Sequence, residues 1–414
     1  MSDTSHLTDQ QSSWSDVRDS ANKLLTYCRS NDWAGYDPYD ALNSPLFKAL
    51  PVLDRQIPRL VLTQLLKRSP FSVRKILGVP KTQNPKAMAL FLTALLRAPE
   101  LANEETISSI KSRLIALRSP SSPYWCWGYS FPWQTRTLLV PRAVPNLVCS
   151  VFVGNALLDL YDRRRDEDCR AMAATTAEYI LNELYWTKGS VAGLGYPLPS
   201  MRHQIHNANL LGAAFLTRVY TLSGNEKCLE AAMKLARYSA SCQRSDGSWA
   251  YGEGSTQQWV DNFHTGYNLS ALQQIDRLLE TNEFEERIRQ GFGFYRTHFF
   301  LEDGTARYFH NKTYPVDIHC VAQSIITLLE FRHLHPDNVE LALRVFQWAK
   351  SHMWDERGFF FYRVLRGCTI RTSYMRWSQA WMLLALSTLL GERVEDNLRA
   401  DFRSGFARVA TGMK

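Results

Sequence analysis

Tyr196, Tyr251, Tyr308 and Tyr362 fall 55, 57 and 54 residues apart, each in a loop that joins a glycine to aromatic residues: GLGYP (193–197), DGSWAYGE (246–253), EDGTARYFHN (302–311) and DERGFFFYR (355–363). No other feature restricts the fold as much. A unit of about 55 residues is one supersecondary element that cannot bury its apolar face without neighbours. YWCWGYSFPW, with Gly128 and Tyr129, extends the series, and NDWAGYDPYD, with Gly35 and Tyr36, begins it. Each later loop leads through a polar cluster into an apolar segment of helical period: HNANLLGAAFLTRVY, HTGYNLSALQQIDRLL, HCVAQSIITLLEF and YMRWSQAWMLLALSTLL. A helix with a more polar face follows, as in EKCLEAAMKLARYSASCQ and VELALRVFQWAKSHM.

Six such hairpins close naturally into a ring. The repeat therefore predicts an all-α chain, an (α/α)6 toroid of helix hairpins forming a single domain over 1–414. The more apolar helix of each pair should line the inside, and the loops before the inner helices should gather at one mouth. Tyr36 and Tyr129 are 93 residues apart, more than one unit, so 51–120 is expected to be a basic helical insertion near the N-terminus. Residues 1–13 are expected to be a disordered tail. The N-terminal text MSDTSHLTDQQSSWSD lacks the basic start and apolar run of a secretory signal, and no apolar run reaches membrane-spanning length, so a cytoplasmic location is expected. The eight cysteines are scattered without a C-x-x-C pair, which points to reduced, buried thiols and to no metal site; no cofactor is expected.

The formal charge of +8 comes from 51–120, which holds 12 Lys and Arg against 4 Asp and Glu. There the basic residues alternate with Leu-rich helical stripes. One reading is an amphipathic pair with a solvated basic face. The other is attachment, peripheral to the inner face of a membrane, to anionic lipid or to the machinery that assembles an anionic polysaccharide. The segment has no base-reading module, so nucleic acid is not expected as a partner.

Gln243, Asp246, Gly247, Ser248 and Trp249 match the Q-x-x-D-G-S-W turn of squalene/hopene-cyclase-like toroids. The hairpin array resembles the six-hairpin glycosidases and the toroidal uronate lyases and epimerases. From about residue 120 to 390 the chain is also similar to prokaryotic proteins associated with surface-polysaccharide synthesis. The resemblance implies a fold more than a reaction, since one scaffold hosts many chemistries. Neither D-x-D-D nor D-D-x-x-D occurs, and CHG is absent, so the cyclase, synthase and lanthionine-forming relatives supply shape and not mechanism.

The clusters at the inner-helix starts carry the candidate chemistry. His206, His264 and His319 are 58 and 55 residues apart, in nearly equal phase, and in a ring equal phase means convergence. The candidate catalytic residues are His264, Asp261, His319, Asp317, Tyr267, Tyr374 and Glu253. The candidate substrate contacts are Trp133, Arg136, His206, Asn207, Trp249, Trp259, His310, Asn311, Arg376, Trp377 and Gln379. Asp261, Asn207 and Asp317 also suit simple helix capping.

Aromatic faces with Asn, Gln and Arg suit a sugar, and Arg136 and Arg376 suit a uronate carboxylate. The expected function is a carbohydrate-active enzyme acting on an anionic oligosaccharide or a surface-polysaccharide intermediate, as glycosidase, lyase or epimerase. Hydrolysis would need two opposed carboxyl groups; elimination or epimerisation would need a His or Tyr base with groups that stabilise an enolate. An isoprenoid enzyme and a non-catalytic glycan-binding component of a polysaccharide assembly complex are the alternatives.

Overall fold

A computed structural model describes residues 2–392 apart from Arg136, with side chains from Ser12 onward except those of Lys48 and Arg136. Helix α1 (Ser2–Ser30), the single turn α2 (Leu46–Ala49) and α3 (Gln56–Arg68) come first. Inner and outer helices then alternate. The inner ones are α4 (Pro85–Arg97), α6 (Leu147–Arg164), α8 (His206–Ser223), α10 (Asn262–Leu279) and α12 (Ile318–Glu330); the outer ones are α5 (Glu104–Ala116), α7 (Glu167–Tyr179), α9 (Glu226–Ser241), α11 (Glu285–His298) and α13 (Asn338–Met353). A π-helical turn, Met375–Gln379, leads into the last inner helix, α14 (380–392).

Sequence pattern decides which helix goes where. In α12 every residue from Ile318 to Leu329 is buried, because the helix is apolar on nearly all sides and must be covered all round. In α9 only the stripe Cys228, Ala231, Ala232, Leu235, Ala236, Ser239 and Ala240 is buried, the spacing of a helix with one face in water. Consecutive inner helices pack side by side from α4 through α12 to the Met375–Gln379 turn, and that turn packs back against α4. The ring is closed, as the repeat predicts.

The sixth outer helix is α1. It packs against α13 and the Met375–Gln379 turn, burying Val17, Ala21, Leu24, Leu25 and Cys28. Three turn glycines show the equivalence. Gly247, Gly304 and Gly358 have φ of 88°, 90° and 90°, and a Cβ on each would lie 2.4, 2.6 and 2.7 Å from the carbonyl oxygens of Gln290, Arg344 and Lys23. Those oxygens belong to α11, α13 and α1, so each loop docks on the next outer helix, and the last docks on the first helix of the chain. The loop tyrosines repeat the relation. The backbone amides of His206, Asn262, Ile318 and Met375 donate to the carbonyls of Tyr251, Tyr308, Tyr362 and Tyr36.

The Q-x-x-D-G-S-W turn is a staple between outer helices. Gln243 Nε2 donates to the carbonyls of Gly247 and Arg287, Asp246 accepts from the Ser248 amide, and Trp249 Nε1 donates to Ser239. Trp249 is therefore in the core and not a substrate contact.

Two segment boundaries differ from expectation. Within 51–120, α4 and α5 are the first inner and outer pair of the ring, because α4 is almost wholly apolar and is buried accordingly; the part outside the ring ends before Pro85. The stretch 1–13 is helical from Ser2, since it holds no Gly or Pro to interrupt the helix that buries Val17. Among the described residues no helix is long and apolar enough to cross a membrane.

The docking glycines give a direct test. Gly304→Ala should lower unfolding stability by about 2–3 kcal/mol, from the left-handed backbone and the carbonyl contact. Gly293→Ala, in α11 with nothing within 4 Å of its Cβ position, should raise it by about 0.5–1 kcal/mol. Denaturant titration of the two variants reads both signs.

Candidate active site

The loops before the inner helices meet around a cavity of about 810 Å³. Its wall is mainly aromatic: Tyr129, Phe131, Trp133, Tyr196, Tyr251 and Trp259 on one part, Phe263, Tyr267, Tyr308, Trp377 and Tyr39 on the rest. His264, His319, Asn207, Lys86 and Arg376 are set into it. At the mouth Trp259 is 38% exposed and stacks on Tyr251 with centroids 4.6 Å apart and planes 13° apart, giving a flat aromatic face.

Asp261 caps α10. Its Oδ1 accepts from the His264 amide at 3.0 Å, while Oδ2 accepts from Trp259 Nε1 at 2.9 Å and meets His264 Nδ1 at 2.7 Å. With a carboxylate at Nδ1, the proton of a neutral imidazole sits on that nitrogen and Nε2 keeps a free lone pair. The His264 side chain is 19% exposed and that of Asp261 is fully buried, so only the imidazole reaches the cavity.

Asp317 caps α12 in the same way, accepting from the His319 amide at 3.0 Å. Its oxygens also accept from Trp377 Nε1 at 2.9 Å and from Arg363 at 2.9 and 2.5 Å. It is held as the counter-ion of Arg363 and is not a free acid. His319 lies between the rings of Phe263 and Trp381, with centroids at 4.5 and 4.4 Å, and its Nε2 is 2.7 Å from the Tyr267 hydroxyl. Burial, reinforced by Lys86 and Arg376 nearby, holds the His319 pKa well below its ordinary value. Burial likewise keeps the Tyr267 phenol protonated.

Lys86, in the first turn of α4, is the cavity group that the repeat does not mark. Its amine lies 4.0 Å from the Phe152 ring centroid and 5.2 Å from that of Trp381. Burial, then the charge of Arg376, lowers its pKa well below that of an ordinary lysine. A lone lysine near the start of an otherwise apolar helix is the only trace of it in the sequence. Arg376 is paired bidentately with Asp37, at 2.6 and 2.8 Å, and its charge is already balanced. Polar atoms of three lining residues, Trp133 Nε1, Asn207 Oδ1 and His319 Nδ1, are buried without a protein partner, which leaves them available to a polar ligand.

The cavity thus brings together His264, His319, Tyr267, Trp133, Asn207, Trp259, Arg376 and Trp377, with Asp261 and Asp317 directly behind. Other candidates lie elsewhere. Tyr374 is fully buried, edge-on to Tyr362 and beneath Arg74. Gln379 is spent on both backbone groups of Phe360. His310 meets the Val260 carbonyl, and Asn311 lies in an exposed turn. Arg136 lies outside the described residues. Asn207 sits inside α8 and caps nothing, because Ile205 holds the N-cap position of that helix.

Glu253 points away from the cavity and accepts from the Tyr238 hydroxyl. With His206 and Cys242 it forms the one group among the described residues whose ligand atoms lie close enough to share a metal ion, all within 4.8 Å. The repeat does not mark this set either, since its members come from three different elements.

Two predictions follow from burial. The unfolded chain takes up a proton on His319 near pH 6.5 that the folded chain refuses. Stability should therefore be full above that pH and fall as pH drops below it, and His319→Gln should flatten the dependence of Tm on pH between 7.5 and 5.5. Lys86→Met should stabilise the fold by about 1–3 kcal/mol in denaturant, because it removes a buried ionisable group from an apolar wall.

No protein-family model matches the chain, and no curated protein matches it in sequence. Among solved structures it is similar to cellobiose 2-epimerase from Bacillus thermoamylovorans B4167, with TM-score 0.60 and 12% identity over 76% of this chain and 90% of that one. It is similar to an unsaturated glucuronyl hydrolase specific for heparin, with TM-score 0.58 and 11% identity over 92% and 97%. A polysaccharide lyase gives 0.56 and 13% over 92% and 98%. At such identities the likeness is one of fold, and that fold is the six-hairpin α/α toroid.

Proposed function

We propose that this chain is a carbohydrate-active enzyme that removes a proton from a sugar carbon beside a carbonyl or carboxylate, as an epimerase that returns it or a lyase that does not. One observation carries the reading. No Asp or Glu is among the described residues that line the cavity, whereas His264 and the Tyr267–His319 pair do line it. Hydrolysis by the usual route needs two carboxyl groups astride the bond; proton transfer at carbon needs a base and a donor.

His264 Nε2 is the base, with Asp261 fixing its tautomer and stabilising the imidazolium that forms. The electron pair left on carbon moves onto the adjacent oxygen, where Lys86 and the Tyr267 phenol lie to receive the charge. In an epimerase the intermediate turns its other face to His264, and the imidazolium returns the proton to the same carbon. In a lyase the pair instead expels the glycosidic oxygen, which takes the proton held by His264. A substrate carboxylate would favour the ammonium form of Lys86, and the preference for uronates rests on that residue, because Arg376 is committed to Asp37. The aromatic wall also favours the isoprenoid alternative, but among the described residues no carboxylic acid faces it to start a cation.

The test is incubation with reducing disaccharides and uronate oligosaccharides in deuterium oxide, followed by NMR. Deuterium at the carbon next to the carbonyl is expected of an epimerase and an unsaturated product of a lyase. His264→Ala should lower either by at least about 100-fold, and Tyr267→Phe should impair turnover more than binding. New reducing ends without deuterium uptake or unsaturation, undiminished in His264→Ala, would sink the proposal. Sugar binding with no turnover at all would assign the chain to the glycan-binding alternative.

A further inference from the structure

Large apolar side chains left in solvent are concentrated in one segment. Of the eleven such residues among those described, seven lie between Leu50 and Ile76. Ile57 is 74% exposed, Phe71 77% and Ile76 84%, with Val61 and Leu65 between them on α3. A groove of about 710 Å³ separates α3 from residues 69–77, lined by Leu60, Val61, Leu65, Leu66, Val73 and Leu77. An apolar patch of this kind on a folded chain marks a surface that something covers.

Charge selects what covers it. Arg55, Arg68 and Lys75 are exposed around the patch, and Asp54, the only acid in 50–78, is held by Arg59. A second copy docked by the same face would set these cations against their own images. An anionic lipid surface takes both features, with apolar side chains in the acyl layer and cations among the headgroups.

The face also borders the cavity. Lys67 of α3 donates to the Tyr39 hydroxyl at 2.6 Å and lies 4.2 Å from the centroid of that ring, which lines the cavity. Arg59 reaches Gln134 at 3.3 Å, next to the lining residue Trp133.

We propose that residues 50–77 dock this enzyme on an anionic lipid surface, so that the adjoining mouth receives a saccharide carried on a lipid. The lipid-borne substrate rests on the glycan reading above; the docking does not.

The full chain is floated with phosphatidylcholine vesicles containing phosphatidylglycerol and with pure phosphatidylcholine vesicles. Flotation with the anionic vesicles, weakened by added salt, is expected. Phe71→Ser with Ile76→Ser, and separately Arg68→Glu with Lys75→Glu, should each lower partitioning by more than about tenfold. Both variants should keep the parent's thermal melt and its proton exchange on a soluble sugar. Failure of the parent chain to float, or flotation unchanged in both variants, overturns the docking. A concentration-dependent dimer abolished by Phe71→Ser overturns it in favour of a second copy. If flotation holds while sugar exchange fails, docking stands and the lipid-borne saccharide falls.

Discussion

Residues 35–40 and 374–379 are joined by two buried contacts: the bond from the Met375 amide to the Tyr36 carbonyl and the ion pair of Asp37 with Arg376. Every other seam of the ring lies between hairpins close in sequence, and this one joins the two ends. Arg74 strengthens it from outside, bonding Asp40 and the Asp37 carbonyl. Charges taken out of water are tolerable only when fully paired, so the seam specifies its own register. It also sets the chemistry of the mouth, because a guanidinium committed to closing the ring cannot serve as a free carboxylate clamp.

The closed wall explains why the groups inside it are unusual. Aromatic rings exclude water without offering hydrogen bonds, so ionisable groups among them drift towards their neutral forms. Burial lowers the pKa of His319 and of Lys86 well below their ordinary values for this reason. His264 differs in its surroundings: a fully buried carboxylate stands behind its Nδ1, whereas His319 lies between aromatic rings and meets a phenol. Two histidines in equal repeat phase thus take different roles because different residues surround them.

The period of the loops was enough to read the ring, the inner and outer layers, and the gathering of His264, His319 and Tyr267 at one end. Phase alone did not tell which side of a loop a side chain faces. Trp249 and Gln379 occupy promising positions and are spent on backbone groups, while Glu253 turns outward to Tyr238. Lys86 and Asp37 were illegible for another reason: their partners lie hundreds of residues away or on other helices, and a repeat describes only what recurs. The ring begins inside the expected insertion, at α4, which carries little of the loop signature that marks its later counterparts.

The use of α1 as the last outer helix has a consequence for biosynthesis. A chain made from its N-terminus presents this helix, with the apolar stripe from Val17 to Cys28, more than 300 residues before the surfaces around Gly358 and Met375 that complete its cover. Until that later hairpin is made, part of the stripe has nothing to pack on, and the unclosed ring exposes apolar surface that other molecules can bind.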